Sequence, residues 1–325
     1  MLFLIRESSL SIKAPGRRAD AMINMFSRKI GKERLNRARS PLEQATSQFK
    51  KNKMAVIGLV IIIVLFAVAF STIIIDFVTN DSIYNNYVIN QNLVLRLAPP
   101  STSHIFGCDE FGRDLFMRIL WGTKYSLFIG IGAILLAMFI GMPIGMVAGY
   151  YGGRTDNIIM RLMDVILAVP SMLLAMAIIA ALGTSTVNLL IAMSVANIAR
   201  FSRIARASVM TVKDNEFIEA ARAIGANDME ILVKYIFPNA FSPNLVQFTL
   251  GIGNSILLVA GLSYLGLGVQ PPSPEWGAIL TTAKTYMRDA WHISVFPGMF
   301  LVISVVAFNM LGDGLRDAMD PKLKK

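Results

Sequence analysis

The chain has 325 residues, 54% hydrophobic and only 16% charged, with a mean hydropathy of +0.57; soluble domains carry about 25% charged residues, so soluble, disordered, coiled-coil and collagenous classes are excluded. One cysteine, Cys108, has no internal disulfide partner, and two histidines, His104 and His292, leave little for metal chemistry. A net charge of +10 suits a nucleic-acid binder or a membrane protein that holds basic loops inside, and its distribution decides between them.

Residues 1–53 form a basic tail with 13 Lys and Arg, among them Arg17, Arg18, Arg28, Lys29, Lys32, Arg34, Arg37 and Arg39. Membrane lipid of the inner leaflet is its nearer partner, and no nucleic acid is expected. The opening MLFLI is too short for a signal-peptide apolar region, so the first span is its own insertion signal. That span runs from Met54 to Phe77, with Asp76 at its far edge. A polar stretch to about Tyr125 precedes span two (Ser126 to Tyr150) and span three (about Ile158 to Leu182, Asp164 near its start). Spans four, five and six run from about Val187 to Ile204, Leu245 to Leu267 and Ile293 to Leu311.

An all-α membrane protein with six transmembrane helices is expected, because a helical bundle satisfies its own backbone in lipid. Its parts are the tail (1–53), the first helix and an extracytoplasmic segment (54–121), a core (122–313) with a cytoplasmic loop (213–240), and a C-terminal tail (314–325). With alternate segments assigned to the cytoplasm, 25 of the 31 basic residues lie inside, which makes both termini cytoplasmic.

Enzyme signatures are missing. Gly107-Cys-Asp-Glu-Phe-Gly112-Arg113-Asp114 lacks the Lys and hydroxyl of a phosphate loop, so the chain is expected not to hydrolyse ATP and to carry no cofactor. An ion-driven transporter usually keeps ionisable groups deep in its spans; Asp76 and Asp164 lie near span ends, which lowers the secondary-transporter reading. No paired aspartates and no serine with a base sit at membrane depth for proteolysis.

The loop between spans four and five carries the most information. Asp214 or Asn215 can cap a first helix, Phe217, Ala221 and Ile224 repeat at i, i+4, i+7, and Gly225 suits a left-handed stop. Asn227 with Glu230 has the form of a capping box, and Met229, Leu232, Val233 and Ile236 make one apolar face until Pro238. Periodicity alone leaves two readings, a hairpin resting on lipid headgroups and one built for a partner. Elsewhere Gly141, Gly145, Gly149 and Gly153 recur every four residues, a stripe for close helix packing. Asp164 lies one turn from Arg161, as an interfacial pair at a cytoplasmic gate would. His104 to Asp114 reads as a Gly-rich turn with a solvated ion pair. Asn188, Asn197, Asn254, Ser255, Ser263 and Asn309 suit a polar path or helix–helix hydrogen bonds, and Trp276 and Trp291 an interfacial aromatic belt.

Glu219-Ala220-Ala221, three residues, Gly225, then twelve residues to Pro238 resembles the EAA loop by which bacterial ABC importer permeases dock on their ATPase. Tyr235 and Phe237 stand where that pattern usually has Ile and Leu, keeping bulk and apolar character. His104-x-x-Gly107-Cys108-Asp109-x-x-Gly112-Arg113-Asp114 is similar to the H-x-x-G-T-D-x-x-G-R-D element of the oligopeptide/dipeptide/nickel group, C-type permease subunit, with Cys108 replacing threonine. The run from Gly141 through Pro143 and Gly152 to Asp156, with Arg161, Asp164 and Pro170, looks like the same group's connection between spans two and three. Pro274-Glu-Trp276-Gly277 and Asn309-x-x-Gly312-Asp313-x-Leu315-Arg316-Asp317-x-x-Asp320-Pro321 resemble its later signatures.

The resemblance implies a type I ABC importer permease in the bacterial cytoplasmic membrane. It implies half of a path completed by a homologous B-type permease subunit, fed by an extracytoplasmic solute-binding protein and driven by two cytoplasmic ATPase subunits or domains that hold ATP and magnesium. Peptide is the group's broadest substrate class; nickel or another small solute stays open. ATPase docking falls on Glu219, Ala220, Ala221, Gly225 and Pro238.

Overall fold

The computed structural model describes residues 41–319. The basic tail up to residue 40, and Asp320 and Pro321, lie outside them. The chain divides into two compact units between Gln48 and Phe49; the first is described only where helix α1 (Pro41–Lys51) begins, and the rest of the fold belongs to the second.

Helix α2 (Lys53–Thr79) starts where the Asn52 side chain accepts from the Ala55 amide, and ends at Asn80 in the left-handed region. Its buried residues, Ala55, Gly58, Ile62, Leu65, Ala69, Thr72 and Asp76, repeat at alternating three and four positions, a single seam of the kind coiled coils use. A Cβ on Gly58 would stand 2.7 Å from the Ala307 carbonyl, so α2 lies against the last helix almost backbone to backbone. The exposed Ile57, Val60, Ile63 and Val64 suit lipid.

Helix α3 (Leu115–Tyr151) is 37 residues long, about 55 Å by helix geometry. That exceeds the roughly 30 Å apolar layer, so one end stands clear of it. Asp114 caps its start, accepting from the Met117 amide at 2.9 Å. Gly152 and Gly153, at φ +63° and +53°, turn the chain into α4 (Gly153–Ala168), followed by α5 (Ser171–Leu182).

The third span departs from expectation here. It is not one helix from Ile158 to Leu182 but two pieces bent by 89°. Pro170 has no amide hydrogen and pushes Val169 into extended backbone (φ −95°, ψ 129°), so the ladder stops between them.

Helix α6 (Thr186–Val212) leads to a short α7 (Glu216–Ala223) and then to α8, helical from Asp228 to Tyr264. The expectation of a hairpin helix ending at Pro238, with span five starting afresh at Leu245, is corrected. The helix runs through Pro238, and its turn over Ile231–Ile236 widens to π form, which absorbs the amide that the proline removes. Helix α9 (Trp276–Tyr286) and helix α10 (His292–Met319) complete the chain. Five helices are long and apolar enough to cross a membrane, six spans if the bent pair counts as one. The described residues hold no β-strand, only an isolated bridge between Cys108 and Asp114.

Helices α3 and α6 meet through glycines. Gly141 and Gly145 of α3 lie against Ile198 and Ser202 of α6, and Gly149 against Arg206 and Val209; Ser202 Oγ donates to the Gly141 carbonyl at 2.9 Å. The offset between contacting residues stays near 57 to 60, so α3 and α6 run parallel in register. Gly153, the fourth of the expected stripe, meets nothing within 4 Å; it serves the turn.

Candidate functional site

The loop between α6 and α8 is a closed hairpin. Gly225, at φ +89°, ends α7 in a Schellman motif, with the Ala226 amide donating to the Ala221 carbonyl and the Gly225 amide to that of Arg222, each at 3.0 Å. Asn215 occupies the N-cap without a side-chain hydrogen bond. Asn227 Oδ1 accepts from the Glu230 amide at 2.8 Å, one half of the expected capping box; the Glu230 carboxylate instead faces Lys234 Nζ at 3.5 Å.

The inner face of the hairpin differs from the one the periodicity picks out. Ala221 is buried, and Ile218, Ile231, Leu232 and Ile236 are buried and pack on Met142, Met146 and Tyr150 of α3 and on Ala205 and Val209 of α6. Each fully buried isoleucine stabilises this seat by about 1.5–3 kcal/mol. Phe217, Ile224, Met229 and Val233 of the apolar repeat are 44%, 82%, 68% and 59% exposed. Glu219, Ala220, Gly225 and Pro238 are exposed as well, so the hairpin keeps one apolar face on its own bundle and turns another outward. Tyr150 fastens both arms: its hydroxyl donates to Asp228 Oδ1 at 2.7 Å, and the Arg222 guanidinium lies 5.6 Å above its ring.

The element from His104 to Asp114 is the second cluster. Gly107 and Gly112 take φ +76° and +70°, and His104 Nδ1 lies 2.8 Å from Asp114 Oδ2. The ion pair expected to be solvated is buried: Arg113 Nε donates to Asp109 Oδ2 at 2.7 Å, with both residues at least nine-tenths buried. Sequence reasoning missed Arg118, which lies in the polar stretch before the expected second span. It is 5% exposed, sits 3.2 Å from Asp109 Oδ2 and donates to the Val88 carbonyl at 2.9 Å, tying the segment after α2 to the loop. Both oxygens of the buried Glu110 carboxylate lack a hydrogen-bond partner, and burial, then Asp109, raises its pKa. Cys108 is fully buried, its thiol pushed up to about 11 by burial and then by Asp114 and Asp109. Among the described residues no group of three or more acids, histidines or cysteines is placed to hold a metal.

The remaining expected residues are scattered. Asp164 is not paired with Arg161: its Oδ1 accepts from Arg203 Nη2 of α6 at 2.6 Å, because the bend at Pro170 lays α4 across α6. Asn188 Nδ2 donates to the Leu182 and Gly183 carbonyls, closing the α5–α6 turn, and Asn197 Nδ2 to Met193 in its own helix. Ser255 is buried with an unpartnered hydroxyl, Asn254 is exposed and Asn309 half-buried, with Asn309 Oδ1 beside Gly253. Trp276 is fully buried, its indole donating to the Ile119 carbonyl at 3.0 Å, so it belongs to no aromatic belt, whereas Trp291 is 55% exposed. Asp76 pairs with Lys124 Nζ and accepts from Trp121 Nε1.

Residues 141–325 match the family described as the binding-protein-dependent transport system inner membrane component. The chain belongs to that family. Residues 40–100 match the N-terminal TM domain of oligopeptide transport permease C. The dipeptide transport system permease protein DppC of Alkalihalophilus pseudofirmus is 44% identical over 285 residues, 88% of this chain and 91% of that one. The glutathione transport system permease protein GsiD of Pectobacterium atrosepticum is 41% identical over 286 residues (88% and 93%), and that of Escherichia coli O157:H7 is 42% identical over 289 (89% and 93%). Among solved structures, inward-facing conformations of the MetNI methionine ABC transporter match with TM-scores of 0.51 and 0.52 at 18% identity, covering 63% of this chain and 97% and 98% of the matched ones; this likeness bears on the fold. The chain is thus a multi-pass ABC importer permease, a transport component and not an enzyme, whose family works with ATPase and binding-protein partners.

Proposed function

We propose that this permease forms half of the path of a peptide importer and docks on its ATPase through the α7–α8 hairpin. The observation that carries the docking is the hairpin's second apolar face: Phe217, Ile224, Met229 and Val233 stand exposed beside Glu219, around a left-handed glycine, at the position of the EAA motif. Small, exposed Ala220 allows a partner close approach, and Glu219 offers it a carboxylate. The relatives named for dipeptide and glutathione transport support a short peptide as substrate. A homologous B-type permease completes the path, two ATPase subunits or domains hold ATP and magnesium, and an extracytoplasmic binding protein delivers the peptide. The basic-residue distribution supports a bacterial cytoplasmic membrane location with both termini and the hairpin in the cytoplasm.

Gly225→Asp tests the docking. A Cβ at φ +89° costs about 1 kcal/mol, and nothing of the chain lies within 4 Å of it, so the permease folds while the hairpin gains a charge. The expected result in the assembled complex is loss of the co-purifying ATPase and of peptide uptake. Normal ATPase recovery and uptake would leave the hairpin a headgroup-resting loop.

A further inference from the structure

Helix α4 is fastened to the bundle by charge as well as by the half-covered Ile159, Met160, Ile166 and Leu167. Of its 16 residues only Met163 is buried, while Ile158, Leu162 and Val165 are exposed. Two ion pairs hold it. Arg206 donates from Nε and Nη2 to the two oxygens of Asp156, at 2.5 and 2.6 Å, and Arg203 donates to Asp164. The first pair is the better sheltered, with side chains 32% and 16% exposed; the second is 53% and 49% exposed, where water screens it.

The spacing fixes how α4 lies. Asp156 and Asp164 are about 12 Å apart along α4, whereas their partners on α6 are one turn, about 4.5 Å, apart. Helix α4 therefore crosses α6 instead of running beside it. Both its ends are joints: Gly152 and Gly153 with positive φ at one, the 89° bend at Val169 and Pro170 at the other. Helix α6 continues into the hairpin, and Val209, one turn beyond Arg206, shares its packing cluster with Ile218 and Ile231.

We propose that Asp156 and Arg206, seconded by Asp164 and Arg203, clamp α4 to α6 so that hairpin displacement is delivered to the bend at Pro170. The proposal rests on the docking reading of the hairpin and names the positioning residues that carry its motion onward. A bidentate arginine is suited to this, because two parallel bonds fix orientation as well as distance. Helix α4 then follows α6 as one lever, and the bend is where the two halves of span three change their angle.

The test uses the permease assembled with its partners and compares Asp156→Asn, Arg206→Gln and the double variant. Each is expected to keep its ATPase and hydrolyse ATP while peptide uptake per ATP falls about fivefold or more, the lower edge of usual coupling energies. The double variant is expected to be no worse than either single, since both remove one contact, and Asp156→Glu to restore coupling. Spin labels at Ile158→Cys and Thr211→Cys, with Cys108→Ser, give a readout free of activity. Their separation stays fixed between nucleotide-free and ATP-bound complexes when the clamp is intact and broadens in Asp156→Asn. A separation that changes on ATP binding with the clamp intact, unaltered uptake per ATP in either single variant, or loss of the ATPase from Asp156→Asn would each overturn the clamp. Failure of the docking reading registers separately, as ATPase retained by Gly225→Asp.

Discussion

Arg118→Met removes the cation that joins the segment after α2 to the buried loop, and the cost follows from what remains. Asp109 keeps Arg113 at 2.7 Å, so it is not left alone. The Val88 carbonyl loses its donor, and Asp109 and Glu110 then face one cation instead of two. Breaking a buried pair from one side costs about 3–5 kcal/mol; the surviving Arg113 argues for about 3, which is roughly a 150-fold rise in the open population of the loop. Cys108 reports that opening, being fully buried in the closed loop and held by burial as the unreactive thiol. The assay is the rate of maleimide labelling of purified protein in nanodiscs, where both faces are accessible. Arg96→Met is the control: its Nη2 bond to the Tyr286 hydroxyl is exposed, so its removal leaves the rate within about fivefold of the parent's. Labelling of Arg118→Met within tenfold of the parent's would refute the view that Arg118 holds the loop.

Glu110→Gln should raise the unfolding midpoint at neutral pH and flatten its pH dependence. Burial lifts the folded-state pKa above the unfolded value, so the folded form binds the proton more tightly, and stability is full at low pH and lost as pH rises from the ordinary glutamate range through the raised value; an unchanged pH slope in the variant would contradict this. Gly145→Ala should destabilise the α3–α6 contact by about 1–3 kcal/mol, since the new methyl meets the Ser202 backbone, whereas Gly298→Ala, with nothing within 4 Å of its Cβ, should gain up to about 1 kcal/mol from helix propensity. Thermal unfolding of the two in detergent is expected to shift in opposite directions.

The spans were legible because lipid imposes a simple rule on composition, and the Gly141, Gly145 and Gly149 contact because spacing alone puts small residues on one face. Pro170 carried the signal for the bend, but hydropathy runs smoothly across it, so span three read as one helix. Asp164 was assigned to Arg161 because sequence shows only local neighbours, whereas the bend brings Arg203 to it. The hairpin is the instructive case. Two apolar faces of similar composition lie on the same short helices, and periodicity does not say which rests on the bundle; Ile218 is buried and Phe217, one residue away, is exposed. Arg118 lay in a run read as loop, where a basic residue draws no notice until the structure shows it buried.

The outward apolar face of the hairpin bears on how the subunit is made. On the docking reading, a chain released without its ATPase carries Phe217, Ile224, Met229 and Val233 open to its surroundings. An exposed patch of that kind draws chaperones, proteases and other copies of itself. Assembly on that reading doubles as inspection: a permease that finds its ATPase soon after insertion hides the patch, and an orphan leaves it open to degradation.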